Sequence, residues 1–488
     1  MTQALFYRPL EGWFGDVMPV VHDGVCHLFY THLDFDDTGS AEVSKKLRWA
    51  HLSTTDFVTF TEHPNAIPSG APGEQDLLAG AGSVVGPADG VFHAFYVGIN
   101  PHAVAPEREQ VVLHATSSDL ERWEKDEGFA FAADPRWYDA NAWRDPFVVG
   151  DAERGWSMLL CAQLDLEPAR RGGAVGVATS SDLVTWKAQP PLFAPGTTLA
   201  PECPEVFERD GVEYLLYSTY SDRFAVRYRR RPAGSQESWR AAAWDALDGN
   251  DFYAATSVDV AGRRILVGWI ATRAGDSDRG HRQWGGDLVV HELVPRDDGT
   301  LGVLPLTERL DAFAPVAPQI EARSGDWRIE GASAVRSQPS AVEPFGWVSV
   351  ATLDRPTLVR ATVAAPEGAE EFGIAVQANE DFTAAYLVRF EPARGRFVFD
   401  RRPHRIDVPF DHEVDRSYVS DPDFEIERPL DGGAAAWAVT VMVEGSVISV
   451  YVDDVALTTR GYDLQGGAIG FYSAASALEV TEIAVSVR

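Results

Sequence analysis

The sequence is poor in cysteine and has no long apolar run, and each shortage excludes a class of protein. Its three cysteines, Cys26, Cys161 and Cys203, are far apart and odd in number, which argues against a disulfide framework and a clustered metal site. Each lies in or beside an apolar run, so we expect buried, reduced thiols. No uncharged apolar run approaches the roughly 18 residues that a membrane-crossing helix needs.

Positive charge is also scarce. Asp and Glu outnumber Lys and Arg by 73 to 42, which gives a formal net charge of −31 without a basic tract. This balance argues against nucleic acid or an anionic membrane as a partner and favours a neutral or cationic ligand. The N-terminus lacks the basic start and apolar core of a secretory signal, so we predict a soluble, cytoplasmic protein. A length of 488 residues predicts two domains.

Three segments of the sequence echo one another at a fixed spacing. They read "STTDFVTF", "TSSDLERW" and "TSSDLVTW", and their aspartates, Asp56, Asp119 and Asp182, are 63 residues apart each time. Each echo follows a run of alternating apolar residues, so the repeat unit has several strands and predicts a propeller blade. The aspartates fit a repeated structural turn. Divergent units from Pro201 and from Asp251 bring the predicted number of blades to five.

The pattern changes to plain alternating strands from about residue 326, as in "LVRATVAA" and "AVTVMVEGSVISVYVDD". Such strands predict an antiparallel sandwich, and long helical periodicity is missing throughout. The predicted fold is therefore all-β, with a five-bladed β-propeller over residues 1–305, a linker over 306–325 and a β-sandwich over 326–488.

Acidic residues stand at three of the predicted blade openings. Asp16 lies in "WFGDVMP", Asp145 in "WRDPF" and Glu202 in "PECPEVF". The first strands of all blades converge on the propeller axis, so these carboxylates are expected to meet. Each acid alone also fits a turn or an ion pair, such as Asp145 with Arg144. Together, three carboxylates in one funnel favour glycoside hydrolysis, which needs an attacking or activating carboxylate and a proton donor.

The motifs "WFGD", "AGS", "WRDP", "ECP" and "DFYA" run in the order seen in glycoside hydrolase family 32, and the chain resembles that family almost end to end. The family comprises invertases, levanases, inulinases and fructosyltransferases. The resemblance implies that Asp16 is the nucleophile, that Glu202 is the general acid and base, and that Asp145, held by Arg144, stabilises the transition state. It implies no metal or organic cofactor.

Substrate contacts are also expected near the acids. The resemblance and the local sequence together give seven candidates: Trp13, His32, Ser83, Trp143, Arg144, Asp251 and Tyr253. A further tryptophan, Trp269, fits the pocket wall and the core equally well.

The opening motif departs from the family pattern, which has an amide residue on each side of the nucleophile. Gly15 and Met18 stand where the family has Asn, Val17 replaces Pro, and Thr31 replaces Gln. The missing amides bind sugar hydroxyls in the family, so the identity of the sugar stays open. Four residues could supply other polar contacts: His32, Asp34, Asn100 and His102.

The leading hypothesis is an exo-acting retaining furanosidase that cleaves terminal β-fructofuranosides of sucrose, fructo-oligosaccharides or fructans. Its partner would be a carbohydrate, and a homo-oligomer is left open. The alternatives are a furanosidase for galactofuranose or arabinofuranose, a family 43-like inverting arabinanase or xylosidase, a fructosyltransferase, and a sugar-binding propeller without turnover. Product stereochemistry separates the retaining hypothesis from the inverting one.

Overall fold

The computed structural model describes residues 2–34, 46–102, 109–140, 142–151, 153, 155–338, 345–369, 371–403 and 424–488. These residues form an all-β protein with one short α-helix, α1 (Thr307–Asp311). No helix within these ranges is long and apolar enough to cross a membrane. The three cysteines are buried and unpaired, as predicted. The contacts divide the chain into a first unit, Met1–Thr272 with Gln283–Gly302, and a second unit, Arg273–Arg282 with Val303–Arg488.

The first unit is built from strands β1 to β20 with a short 3-10 turn at Ala169–Arg171. Its strands are β1 (Thr2–Gln3), β2 (Trp13–His22), β3 (Val25–Leu33), β4 (Leu47–Thr54), β5 (Thr59–Ile67), β6 (Leu78–Ala88), β7 (Val91–Ile99), β8 (Gln110–Ser117), β9 (Glu124–Lys125), β10 (Trp143–Asp151), β11 (Gly155–Gln163), β12 (Gly173–Ser180), β13 (Lys187–Phe193), β14 (Glu202–Arg209), β15 (Val212–Thr219), β16 (Ala225–Pro232), β17 (Phe252–Val260), β18 (Arg263–Arg273), β19 (Arg282–Pro295) and β20 (Leu301–Leu304).

The pairing of these strands gives four sheets among the described residues. Three of them are β6-β7-β8-β9, β10-β11-β12-β13 and β14-β15-β16. The fourth has nine strands in the order β1-β5-β4-β3-β2-β19-β18-β17, with β20 beside β19. It is this large because Phe14 of β2 pairs with Gly286 of β19, which joins the start of the unit to its end. The first strands β2, β6, β10, β14 and β17 contact one another in a closed ring.

The three-fold echo in the sequence is a repeated turn, as predicted. The Oδ1 atom of Asp182 accepts the backbone N–H groups of Val184 at 2.9 Å and Thr185 at 2.7 Å. Asp56 and Asp119 accept the equivalent pairs of N–H groups in the two preceding units. Hydrogen bonds to the charged form lower the pKa of all three carboxyls. These aspartates are therefore fixed to the scaffold.

Large apolar side chains fill the space between neighbouring sheets of the first unit. Phe95 and Val112 come from the sheet of β6 to β9 and pack with Trp143, Trp156 and Met158 from the sheet of β10 to β13. The alternation of apolar residues along each strand places one set on each face. This packing holds neighbouring sheets at a fixed distance, which positions the starts of their first strands.

The second unit contains α1, short 3-10 turns at Ala274–Asp276 and Pro392–Arg394, and fifteen strands among its described residues. The strands are β21 (Ala314–Val316), β22 (Glu321–Ser324), β23 (Trp327–Glu330), β24 (Ala334–Ser337), β25 (Phe345–Thr352), β26 (Thr357–Ala364), β27 (Glu371–Ala378), β28 (Ala385–Glu391), β29 (Arg396–Arg402), β30 (Ile426–Pro429), β31 (Ala436–Glu444), β32 (Val447–Val452), β33 (Val455–Arg460), β34 (Ala468–Ala474) and β35 (Leu478–Val487).

These strands form two antiparallel sheets around one apolar core. One sheet has the order β23-β24-β35-β26-β31-β32-β33 with β21 beside β35, and the other has the order β22-β25-β34-β27-β28-β29-β30. Phe372 and Phe390 from the second sheet pack with Trp437, Val441 and Ile448 from the first. Alternating apolar residues along both sheets provide this core, as the sequence pattern indicates.

The limits of the two units differ from the predicted domain limits. The first unit ends at Gly302, and residues 306–325, expected to be a linker, include α1, β21 and β22. β21 pairs with β35, and β22 pairs with β25, so much of this segment's backbone is satisfied inside the sheets of the second unit.

The ten residues Arg273–Arg282 also group with the second unit, although they lie between β18 and β19. The buried carboxylate of Asp278 explains the grouping. It accepts the hydroxyl of Tyr386 at 2.7 Å, Nη1 of Arg401 at 2.6 Å and the backbone N–H of Tyr462 at 2.8 Å. Nothing in the strand pattern of this segment signals such a long-range network.

Candidate active site

The three acids lie where the first strand of a sheet is interrupted. The pairing shifts register around Asp16 in β2, around Asp145 in β10 and directly after Glu202 in β14. Such a bulge bends the strand and redirects its side chains. The backbone around the acids is left-handed at Asp145, with φ of 54°, and at Cys203, with φ of 47°. Equivalent register shifts occur in β6 and β17.

The carboxyl of Asp16 is buried and has a raised pKa. Its Oδ1 accepts the indole N–H of Trp269 at 3.0 Å, a contact between residues 253 positions apart in the chain. Burial, followed by the nearby negative charge of Asp145, raises the pKa of Asp16 to about 8, and Glu202 adds to this effect. The Trp269 hydrogen bond and the Arg144 charge act in the opposite direction. Asp16 therefore lies within electrostatic range of both other acids.

Asp145 is buried and held by the backbone of the neighbouring sheet. Its Oδ2 accepts the N–H of Cys203 at 3.1 Å. Burial raises the pKa of Asp145 to about 6, although Arg144 and the Cys203 N–H favour its charged form. The left-handed backbone of Cys203 turns this N–H toward Asp145, so the two bulges are joined by one hydrogen bond.

Glu202 is the best-connected of the three acids. Its Oε1 accepts Nη2 of Arg144 at 2.8 Å and Nε at 3.3 Å, and its Oε2 accepts the hydroxyl of Tyr253 at 2.6 Å. Burial and the charge of Glu202 raise the pKa of Tyr253 well above its ordinary value, so the phenol stays a donor. Tyr253 is fixed in turn by stacking on Phe224, with ring centroids 4.1 Å apart. Arg144 and Tyr253 therefore orient the Glu202 carboxylate from two sides.

Arg144 was expected to hold Asp145, but its principal partner is Glu202. The shortest distance from Arg144 to Asp145 is 3.9 Å, against 2.8 Å to Glu202. The reason is the bulge, which separates the directions of two side chains that are adjacent in sequence. Gln110 adds a contact at 3.5 Å, and the hydroxyl of Tyr220 also interacts with Arg144. Neither Gln110 nor Tyr220 lies in a sequence motif that predicts a contact with Arg144.

Two family models match the chain in sequence. The model of the N-terminal domain of glycosyl hydrolases family 32 matches residues 7–300, and the model of the C-terminal domain of that family matches residues 332–487. Together they span both units. The chain belongs to glycoside hydrolase family 32.

Two relatives that this family 32 chain matches are named as a sucrose-6-phosphate hydrolase and a beta-fructofuranosidase. It is 27% identical over 318 residues to a sucrose-6-phosphate hydrolase of Vibrio alginolyticus, a match that covers 59% of each protein. It is 25% identical over 206 residues to the Arabidopsis thaliana beta-fructofuranosidase, insoluble isoenzyme CWINV1, covering 41% of this chain and 33% of that protein. The match thus spans less than two thirds of the length of either relative.

Solved family 32 structures share the fold across nearly the whole chain. Fructan 1-exohydrolase IIa from Cichorium intybus superposes with a TM-score of 0.72 at 15% identity, covering 100% of this chain and 98% of that one. A beta-fructofuranosidase from Bombyx mori gives a TM-score of 0.68 at 17% identity, covering 99% and 93%. At these identities the likeness establishes the fold.

The predicted substrate-contact residues of this family 32 chain differ in their burial and in their distance from the acids. Arg144 and Tyr253 touch Glu202 directly. Trp13 is partly exposed at the start of β2, three residues before Asp16. Asp251 is 1% exposed, and its carbonyl accepts the N–H of Ala271.

Trp143 and Ser83 serve the scaffold. Trp143 has no exposed surface, and its indole N–H donates to the Phe131 carbonyl at 3.2 Å, so it offers no face to a sugar in this structure. The hydroxyl of Ser83 accepts the N–H of Val148 at 2.9 Å, which links β6 to β10. Trp143 is therefore a core residue of this structure, and a substrate contact of Trp143 or of Ser83 stays a prediction.

His32 is buried and tied to the chain around it. Its Nε2 lies 2.7 Å from the Glu11 carbonyl, and its Nδ1 lies 3.4 Å from Arg48. Burial and the charge of Arg48 lower the pKa of His32, so the ring stays neutral. A contact between His32 and substrate stays a prediction.

Glu205 also belongs to a predicted blade opening but is structural. It is fully buried and accepts the N–H and the hydroxyl of Ser257, both at 2.6 Å, together with a guanidinium N–H of Arg264. Burial raises its pKa. These contacts join β14 to β17.

Among the described residues, no group of three or more His, Cys, Asp or Glu could hold a metal ion.

Proposed function

We propose that this family 32 protein is an exo-acting retaining β-fructofuranosidase that hydrolyses terminal β-fructofuranosides of sucrose, fructo-oligosaccharides or fructan ends. The observation that carries the proposal is the mutual electrostatic contact of Asp16, Asp145 and Glu202 around Arg144. The names of the relatives agree with a fructoside substrate. Related solved structures hold sucrose and 1-kestose.

The proposed reaction proceeds in two steps. Asp16 attacks the anomeric carbon while Glu202 gives a proton to the leaving oxygen, so the glycosidic bond breaks and a glycosyl-enzyme forms. Glu202 then removes a proton from water, which attacks the same carbon and releases Asp16. Two inversions at one carbon give net retention. Asp145 binds sugar hydroxyls and stabilises the positive charge that develops on the ring.

The protonation of the three acids depends on their burial and on the charges around them. Burial and the neighbouring charges of Asp145 and Glu202 raise the pKa of Asp16 to about 8, which favours a proton shared among these acids in the free enzyme at neutral pH. The reactive arrangement has this proton on Glu202 and leaves Asp16 ionised. Trp269 and Arg144 favour the ionised form of Asp16 and so favour that arrangement. The acids titrate as a coupled set, so the alkaline limit of activity reports the loss of this single proton.

The proposal is tested by measuring fructose release from sucrose, 1-kestose and sucrose 6-phosphate. We expect activity on at least one of them, retention of anomeric configuration in the first-formed product by NMR, and a loss of at least about 1000-fold in Asp16→Asn and Glu202→Gln. The matched control is Asp119→Asn in the repeated turn, which should keep wild-type kcat/KM. An inverted product, or equal rates in Asp16→Asn and wild type, would contradict the proposal.

Two further proposals concern the architecture and the location of the protein. We infer a five-bladed propeller followed by a β-sandwich, supported by the ring of five first strands and by the bulge that each of them carries. A cytoplasmic location is proposed from the sequence and is tested by cell fractionation.

A further inference from the structure

A pocket of about 720 Å³ lies in the first unit, at the end of β14 that is opposite to Glu202. Its walls come from the turn between β14 and β15 at Asp210, from β16, and from the turn between β19 and β20. β14 begins at Glu202 and is eight residues long. At about 3.3 Å per strand residue, the pocket is roughly 25 Å from the acids. It is therefore separate from the candidate active site.

Arginine side chains are the principal charged groups of this pocket. The chain as a whole has a net charge of −31, yet four arginines meet here: Arg230, Arg231, Arg240 and Arg296. Two of the four are neutralised by carboxylates, because Arg231 pairs with Glu213 and Arg240 pairs with Glu237. The other two, Arg230 and Arg296, come from different walls of the pocket.

Arg230 makes no ion pair with any carboxylate in the part of the chain that the structure describes. Its Nη1 donates to the backbone carbonyl of Asp298, which is a neutral acceptor. Gly299 has φ of 74°, and a Cβ atom there would come within 2.7 Å of the same Nη1. The turn therefore closes tightly over one edge of the guanidinium. On the same turn, Nη1 of Arg296 donates to the hydroxyl of Thr300 at 3.3 Å.

Aspartates also line the pocket, but one of them is held by its own turn. Oδ1 of Asp298 accepts the N–H of Thr300 at 2.8 Å and its hydroxyl at 2.6 Å, and these hydrogen bonds lower the pKa of Asp298. Asp210 and Asp297 are exposed, so water and salt screen their charges. The positive charge of Arg230 thus stays uncompensated at the wall of the pocket.

We propose that this pocket binds a phosphate-bearing anion, with the phosphoryl group held by the guanidinium groups of Arg230 and Arg296. The planar fork of a guanidinium matches the oxygens of a phosphoryl group and gives charge-assisted hydrogen bonds. A volume of this size is typical of small-molecule sites, which span about 300–1,000 Å³. The site goes beyond the proposed function, because none of the three acids takes part in it.

The test is isothermal titration calorimetry of the full chain with fructose 6-phosphate, inorganic phosphate or potassium chloride at equal ionic strength. Excess fructose in both solutions removes the contribution of the candidate active site. We expect a Kd of about 0.1–1 mM for at least one phosphate probe, and no binding of chloride. The ratio of the two phosphate affinities separates a sugar phosphate from free phosphate as the ligand.

Arg230→Gln and Arg296→Gln should each weaken this binding by at least about 10-fold, because each removes one charged fork. The matched control is Arg122→Gln, at an exposed arginine in the repeated turn, which should keep wild-type affinity. Melting curves verify that each variant is folded, and two variants on different walls make the result independent of either turn. Heats equal to those of chloride, or wild-type affinity in both folded variants, would overturn the proposal.

Discussion

The hydrogen bond between Trp269 and Asp16 offers a sharp test of how the nucleophile is prepared. Trp269→Phe removes the indole N–H and keeps an aromatic ring among Tyr253, Phe224 and Trp284. The N–H lies 3.0 Å from Oδ1 of Asp16 and stabilises its charged form. A hydrogen bond to a charged group contributes about 1.5–3 kcal/mol. At about 1.4 kcal/mol per factor of ten, its loss should lower kcat/KM by about 10- to 100-fold.

The pH profile gives the same prediction a second readout. The pKa of Asp16 is about 8, and the Trp269 hydrogen bond holds it below the value that burial and neighbouring acids alone would give. Removing a donor to the charged form raises the pKa further. We therefore expect the alkaline limb of kcat/KM, near pH 8 in wild type, to move upward by about one unit in Trp269→Phe.

The assay is initial-rate fructose release between pH 5 and pH 10, with rates normalised to the folded fraction. The matched control is Trp347→Phe in the second unit, because this tryptophan is equally buried and also donates its indole N–H, to the Glu380 carbonyl. Both variants should lose some stability, and only Trp269→Phe should lose activity. Wild-type kcat/KM with an unmoved alkaline limb in folded Trp269→Phe would refute the reasoning.

Three other predictions concern charge, scaffold and acid stability. Arg144→Lys should lower kcat/KM by about 10- to 100-fold, because an ammonium cannot reproduce the guanidinium contacts; a change below 2-fold would contradict the orienting role. Asp182→Ala should lower the urea midpoint, because two backbone N–H groups lose their acceptor, and leave kcat/KM unchanged; a loss of activity would show that the repeated turn is more than scaffold. Burial lowers the pKa of His27 and His93 to about 4 and of His51 to about 2. The unfolded chain therefore takes up protons below pH 6.5 while the fold does not, so stability that is present above pH 6.5 is lost as pH falls below this value. The urea midpoint should fall from pH 7 to pH 5 more steeply in wild type than in His51→Gln, and equal slopes would refute this.

Local sequence patterns were sufficient for the strands and for the repeated turn. Alternation of apolar residues has the same period as a strand, and an Asp turn needs only N–H groups two and three residues away. The order of the motifs was also enough to identify the family, which two family models confirm. The boundary between the two units was harder to predict from the sequence, because the contacts that assign Arg273–Arg282 to the second unit come from residues more than 100 positions later.

The sequence by itself determined that the chain is all-β and that its acids, Asp16, Asp145 and Glu202, stand at corresponding points of repeated units. Only the tertiary structure decided what each acid touches. Bulges in the first strands turn Arg144 away from its neighbour Asp145 toward Glu202. Trp269 lies on β18, which pairs with β17, and the contact between β17 and β2 brings it to Asp16. These contacts depend on side-chain direction and on strands hundreds of residues apart, and neither quantity is encoded in local spacing.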